Sequence, residues 1–287
     1  MEVWFFLALG SAIFAALTTI LAKVGITDVD SHLATAIRTI VVLIFAWLIV
    51  FLRGSLDGIG DIQSRTWVVL VLSGLATGGS WLCFFRALKF GDVNKVIPID
   101  KSSTILTMVL AFIFLQESIT IIIVIGMVFM AYGTWLMLEL KKQEKKVTNN
   151  SWLPYALAAA AFASLVAILG RIGVVDMDPN LWTAARTMVV VPISLLMVFV
   201  ADSQKTIKKI AYKSWIFLIL SGIATGTSWL LFYHALRLGS ASHVVPIDRL
   251  SILFTMSFAF VFLKERFSRR SVVGLIMLTL GALLVVI

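Results

Sequence analysis

Residues 67–91 read WVVLVLSGLATGGSWLCFFRALKFG, and residues 215–239 read WIFLILSGIATGTSWLLFYHALRLG. An offset of 148 brings the two stretches into register without a gap. The same offset carries VIPIDKSS at 96–103 onto VVPIDRLS at 244–251, and TAIRTIVV at 35–42 onto TAARTMVV at 183–190. About half the positions between Trp67 and Glu117 equal their counterparts. One unit has been duplicated, and everything else in the chain is best read in pairs.

The unit is apolar. The chain is 60% hydrophobic and 14% charged, with a mean hydropathy of +1.03. Soluble domains carry about a quarter charged residues. A chain this small must expose much of its surface, so the solvent for that surface is lipid. A helix crosses the bilayer core in about 20 residues. Spans are predicted at 3–23, 33–52, 66–88, 94–115 and 119–138. Five more follow at 153–172, 181–200, 214–236, 242–263 and 270–287. The predicted fold is all-α and integral to the membrane, with ten transmembrane helices. The two five-helix repeats occupy 1–140 and 152–287, joined by a Lys-rich linker at 141–151. The first span has no basic n-region and aligns with the sixth, so it reads as structural rather than as a cleaved leader.

An odd number of helices per unit makes the second copy enter the membrane from the opposite face. This is the inverted-repeat arrangement of many secondary transporters. Basic residues at span ends stay in the cytoplasm. The loops after spans 1, 3, 5, 7 and 9 hold Lys23, Lys89, Lys141, Lys145, Lys205, Lys213, Arg269 and more. The other face has only Arg53, Arg65, Arg171 and Arg237. The expectation is a cell (plasma or inner) membrane protein with both termini outside the cytoplasm.

Charges within spans are costly and mark cavities or partners. Asp100 and Asp248 are repeat mates, as are Arg38 and Arg186, and Lys101 and Arg249. Arg38 and Asp100 both lie roughly 8–9 Å below one face at 1.5 Å per residue, which makes them candidates for an ion pair. Arg186 and Asp248 match them below the other face. Each pair reads either as a gate or as a static contact. Asp100, Ser103 and Thr107 share a helical face, as do Asp248, Ser251 and Thr255. Ser73, Thr77, Ser80 and Phe84, with mates Ser221, Thr225, Ser228 and Phe232, form a second stripe. Glycines 74, 78, 222 and 226 beside it favour close helix packing. Trp81 and Trp229 suit a cavity wall. Pro98 and Pro246 predict bends beside the acids. Glu117 and Glu265 read as solvated residues near the start of the next helix.

TAIRTIVV, SGLATG followed by SWL, and PIDKSS followed by LQE resemble the EamA-type domain of the drug/metabolite transporter superfamily. The likeness is to two fused copies of its small five-helix bacterial and archaeal members. The resemblance implies ten helices, a central cavity lined by spans 3, 4, 8 and 9, and movement of small metabolites by alternating access. Better-known ten-helix relatives resemble proteins with cytoplasmic termini, opposite to the charge bias here.

The function expected is secondary transport of a small amphipathic metabolite, amino-acid-like or anionic. Asp100 or Asp248 is a candidate carrier of a coupling proton. The alternative is a flippase for lipid or lipid-linked sugar, which would need a groove open to the bilayer. No enzyme is expected, since no HExxH or clustered acids occur. No P-loop or other cofactor motif occurs either. The three His are too scattered to hold a metal, and Cys83 is the only Cys. The net charge of +9 reads as topology signal rather than nucleic-acid binding. The expected partners are a small-molecule substrate and the lipid bilayer, with the protein a monomer or homodimer.

Overall fold

A computed structural model describes residues 2–26, 29–57, 59–91, 96, 99–118, 120–137, 151–264 and 267–286. The linker expected at 141–151 lies almost wholly outside these residues, as do Lys95, Pro98, Glu265 and Arg266. Among the described residues every regular element is helical. The first copy forms α1 (Val3–Gly25), α2 (Ser31–Arg53), α3 (Ser64–Phe90), α4 (Ser103–Leu115) and α5 (Ile121–Met137). The second forms α6 (Trp152–Asp176), α7 (Pro179–Val200), α8 (Tyr212–Leu238), α9 (Ala241–Asp248), α10 (Ser251–Leu263) and α11 (Arg269–Leu284). The 148-residue offset carries the bounds of α3 onto α8 and those of α4 onto α10.

Among the described residues seven helices are long and apolar enough to cross a bilayer, with Ala241–Leu263 taken as one span. α4, α5 and α11 are shorter, at 13, 17 and 16 residues. Large apolar side chains face outward: Phe51, Ile121, Val200 and Phe260 are all more than 60% exposed. The interior mixes large side chains such as Trp182 and Met108 with many small ones, including Ala8, Ala12 and Ala16 on α1 and Ala156, Ala159 and Ala160 on α6. That distribution fits a lipid solvent, which supplies no hydrophobic drive between helices and leaves close packing to hold them.

The helix ends repeat as faithfully as the bounds. Asp30 caps α2 by accepting from the amides of His32 and Leu33 at 2.9 and 3.3 Å. Its mate Asp178 caps α7 through Asn180 and Leu181 at 3.0 and 3.3 Å. A capping carboxylate satisfies amides that have no partner in their own helix. Glu117 departs from its expected solvated role. Its two carboxylate oxygens accept from the amides of Ala241 and Ser242, both at 2.8 Å. A residue that follows α4 in one copy therefore caps α9 in the other, where the helix dipole also favours an anion.

The ninth span is interrupted at Arg249 and Leu250. Pro246 sits inside α9, and the interruption comes just beyond it. Leu250 N donates to Ile247 O at 2.9 Å and Ile252 N to Arg249 O at 3.1 Å, both three residues back. The helix is thus tightened locally at its charged residues, directly after Pro246. Ser102 N to Ile99 O at 3.2 Å repeats this tightening in the first copy.

Most helix contacts run between copies rather than within them. α1 packs along α8, and its mate α6 packs along α3. α2 lies against α8 and α7 against α3, while α5 lies against its own mate α11. A Cβ on Gly126 would fall 2.7 Å from Gly281 O, and one on Gly133 would fall 2.6 Å from Gly274 O. Gly126 and Gly274 are mates, as are Gly133 and Gly281, and their order shows that α5 and α11 run antiparallel.

Two outcomes are expected. Gly133→Val pushes α5 from α11 and costs about 1–3 kcal/mol by overpacking. It lowers the unfolding midpoint in detergent, while Gly60→Ala, with no atom within 4 Å of the added Cβ, leaves it unchanged. Glu117→Ala uncaps α9, costs about 0.5–2 kcal/mol of stability and lowers the same midpoint.

Candidate functional site

Two chambers lie in the middle of the bundle, of about 290 Å³ and 280 Å³. The first is lined by Thr77, Arg186, Asp248, Ser11 and Tyr233, among others. The second is lined by Thr35, Arg38, Phe84, Phe85 and Thr225. Trp81 and Trp229, mates in the repeat, line both. The two indoles therefore stand where one chamber meets the other.

Each chamber holds one arginine, and neither is paired as its depth suggested. Arg38 does not bridge to Asp100, nor Arg186 to Asp248. Arg38 Nη2 donates to Thr225 Oγ1 at 3.1 Å. Arg186 Nε donates to Ser73 Oγ at 3.1 Å, and its Nη2 donates to Thr77 Oγ1. Thr77 and Thr225 are mates, so the same contact forms twice, each time across copies. The reason is azimuth: α2 and α7 turn toward α8 and α3, whereas α9 leans on α1. Equal depth placed the charges at one level without placing them on facing sides.

Arg186 is 2% exposed, and its guanidinium lies 5.1 Å from the Trp229 ring centroid and 5.5 Å from that of Tyr233. Ring faces attract a cation most strongly when both are desolvated. Arg186 Nη1 and Arg38 Nε have no hydrogen-bond partner. A buried donor without an acceptor is unfavourable unless something fills the role.

The acids differ between copies. Asp248 lines the first chamber, where its Oδ1 accepts from Ser11 Oγ at 2.6 Å. Asp100 lines neither chamber and sits 3.6 Å from Lys101 Nζ. Position 11 explains the difference. Ser228 Oγ donates to Ser11 O at 3.1 Å, and its mate Ser80 donates to Ala159 O at 3.0 Å. The backbone contact is duplicated, but only Ser11 has a hydroxyl left to meet an acid. Ser11 and Tyr233 were not singled out from the sequence. The signal for Ser11 was present as a departure from its mate Ala159.

The remaining candidates fall outside the chambers. Thr107 is buried and donates to Ser103 O at 2.8 Å, a contact within its own helix. Ser103 Oγ accepts from Arg249 Nη2 at 3.1 Å. Ser251 and Thr255 are half-buried and line neither chamber. Lys101 and Arg249 line a separate crevice of about 90 Å³ between α4 and α5, which Ile252 of α10 and Leu278 of α11 close on the side of the second copy. The glycines of the second stripe pack as expected: a Cβ on Gly74 or Gly222 would fall 2.7 Å from Val189 or Val41. The hydroxyls beside them, Thr77 and Thr225, line the chambers.

This arrangement can hold a small polar solute. It presents fixed cations with spare donors, one carboxylate, and aromatic walls. Comparison with known proteins agrees with a transport role. A Sinorhizobium protein named as an uncharacterized transporter in the cobO 3' region is 46% identical over 134 residues, 47% of this chain and 95% of that protein. An Archaeoglobus fulgidus protein named as an uncharacterized transporter is 29% identical over 98% of this chain and 97% of its own length. A solved crystal structure shares the fold, with a TM-score of 0.80 at 17% identity, covering 96% of this chain and 95% of that one. The EamA-like transporter family matches residues 2–139 and again residues 150–287, once for each copy. The chain is a multi-pass membrane protein and belongs to the EamA-like transporter family.

Proposed function

We propose that the protein is a ten-span secondary transporter that moves a small anionic or zwitterionic metabolite by alternating access. The observation that carries this reading is the pair of equivalent arginines. Each sits in its own chamber, bound to a threonine of the other copy, with one guanidinium nitrogen unpartnered. A carboxylate or phosphate on the substrate supplies the missing acceptor. The apolar part of the substrate lies against Trp81 and Trp229. Asp248 is placed to meet an ammonium group or to carry a coupling proton.

Inverted topology is supported by the antiparallel pairing of α5 with its mate α11. Two chambers related by the duplication then face opposite sides of the membrane. Their states differ. Arg186 is buried on two hydroxyls, whereas Arg38 is half-buried on one. The Arg186 side reads as closed and the Arg38 side as open. By the distribution of basic residues, the open side is cytoplasmic and both termini lie outside. Exchange of the two arginine environments is the transport step.

A flippase would need a lateral path into the chambers. The crevice between α4 and α5 is small and shares no lining residue with them, which favours the soluble metabolite.

A thermal-shift screen of metabolites on purified protein finds anionic or zwitterionic stabilisers, since a ligand stabilises the state it binds. In proteoliposomes, Arg186→Gln and Asp248→Asn each slow uptake of that ligand at least about tenfold. Full activity in both variants overturns the reading. In a Cys83→Ala background, Lys205→Cys resists an impermeant maleimide added outside cells, and labelling there reverses the proposed orientation.

A further inference from the structure

We propose that the crevice between α4 and α5 is a lateral site for the anionic headgroup, carboxylate or phosphate, of a single-chain amphiphile that enters from the bilayer. The proposal does not depend on the transport reading. It rests on a gap, its charge, an orphaned hydroxyl, and the divergence of the two copies.

α4 and α5 are neighbours in the chain yet scarcely touch. The gap of about 90 Å³ is lined by Lys101, Ser102, Thr104, Thr134, Trp135 and Arg249, with apolar neighbours between them. Its rim faces the lipid: Trp135 is 48% exposed, and the Lys101 side chain is 37% exposed. Val109 on α4 and Val128 on α5 are exposed apolar side chains on the two helices that flank it. The space is of the order of a few water molecules, enough for a carboxylate or phosphate.

The crevice is built for an anion. Lys101 and Arg249 enter it from the two interrupted helices. Asp100 stands 3.6 Å from Lys101, while Arg249 donates only to Ser103. Among the described residues Arg249 has no carboxylate within salt-bridge distance, so the pair of cations keeps a net positive charge. Thr104 lines the crevice, is 4% exposed, and its Oγ1 has no partner. An unpartnered hydroxyl facing hydrocarbon is costly, and an acceptor arriving with a ligand removes the cost.

The two copies face each other across the crevice: Arg249, Ile252 and Leu278 line it together with their mates Lys101, Thr104 and Met130. The cations are kept on both sides, but the polar wall is not. The second copy has Leu250, Ile252, Ala282 and Leu283 where the first has Ser102, Thr104, Thr134 and Trp135. The apolar set is sufficient for helix packing, so the hydroxyls of the first copy are the groups that meet a ligand.

The test is tryptophan quenching of the full-length protein in liposomes by three brominated amphiphiles: dibromostearate, a dibromo lysophosphatidic acid and dibromostearyl alcohol. Expected is a saturable component for one or both anions, absent with the alcohol and lost in Trp135→Phe. The triple variant S102L/T104I/T134A gives the first-copy wall the residues found at the mate positions, keeps the Trp135 reporter and abolishes that component. Lys101→Gln, which leaves the apolar packing intact, weakens it at least about tenfold. A response only to stearate assigns a carboxylate, and one only to the lysolipid assigns a phosphate; either supports the site. Equal quenching by the alcohol, a component that survives Trp135→Phe, or affinities unchanged in both the triple variant and Lys101→Gln overturns it.

Discussion

Close approach of backbones between the two copies is the constraint on which this molecule depends. Lipid is as apolar as leucine, so burying leucine against leucine gains little in a bilayer. Helices must instead meet where side chains are small enough for dispersion contacts to accumulate. Ala8, Ala12 and Ala16 on α1, and the facing glycines of α5 and α11, provide such places. These contacts join one copy to the other. Neither repeat is therefore a self-sufficient unit, and relative movement of the copies is movement of the whole bundle.

That packing decides where the charges go. An arginine inside a bilayer needs acceptors, and the helix facing it determines which are at hand. Here α2 meets α8 and α7 meets α3, so each arginine finds a threonine of the opposite copy rather than the acid at its own depth. Hydroxyls accept without neutralising, so the charge of each guanidinium remains available to a ligand. A carboxylate partner would have cancelled it.

The duplicated contacts and the departures from duplication do different work. Ser80 to Ala159 and Ser228 to Ser11 are the same bond made twice, and they belong to the frame. Where the copies differ, one has gained a group that packing does not need. Ser11 opposite Ala159 gives Asp248 a partner in the chamber. Thr104 opposite Ile252 leaves a hydroxyl facing a crevice. Divergence within one chain thus separates scaffold from chemistry.

The sequence alone determined the helical membrane fold, the repeat and its register, and the residue types that mattered. Those properties depend on hydropathy and periodicity, which are local. It also placed Trp81, Trp229, Arg38, Arg186 and Asp248 as residues worth attention, because a polar group in an apolar span is conspicuous. Only the tertiary structure decided their partners. Depth along a helix follows from counting residues, but rotation about its axis and choice of neighbour follow from packing between segments far apart in the chain. For that reason Arg38 met Thr225 instead of Asp100, Glu117 became the cap of α9, and Lys101 and Arg249 entered a crevice away from the chambers.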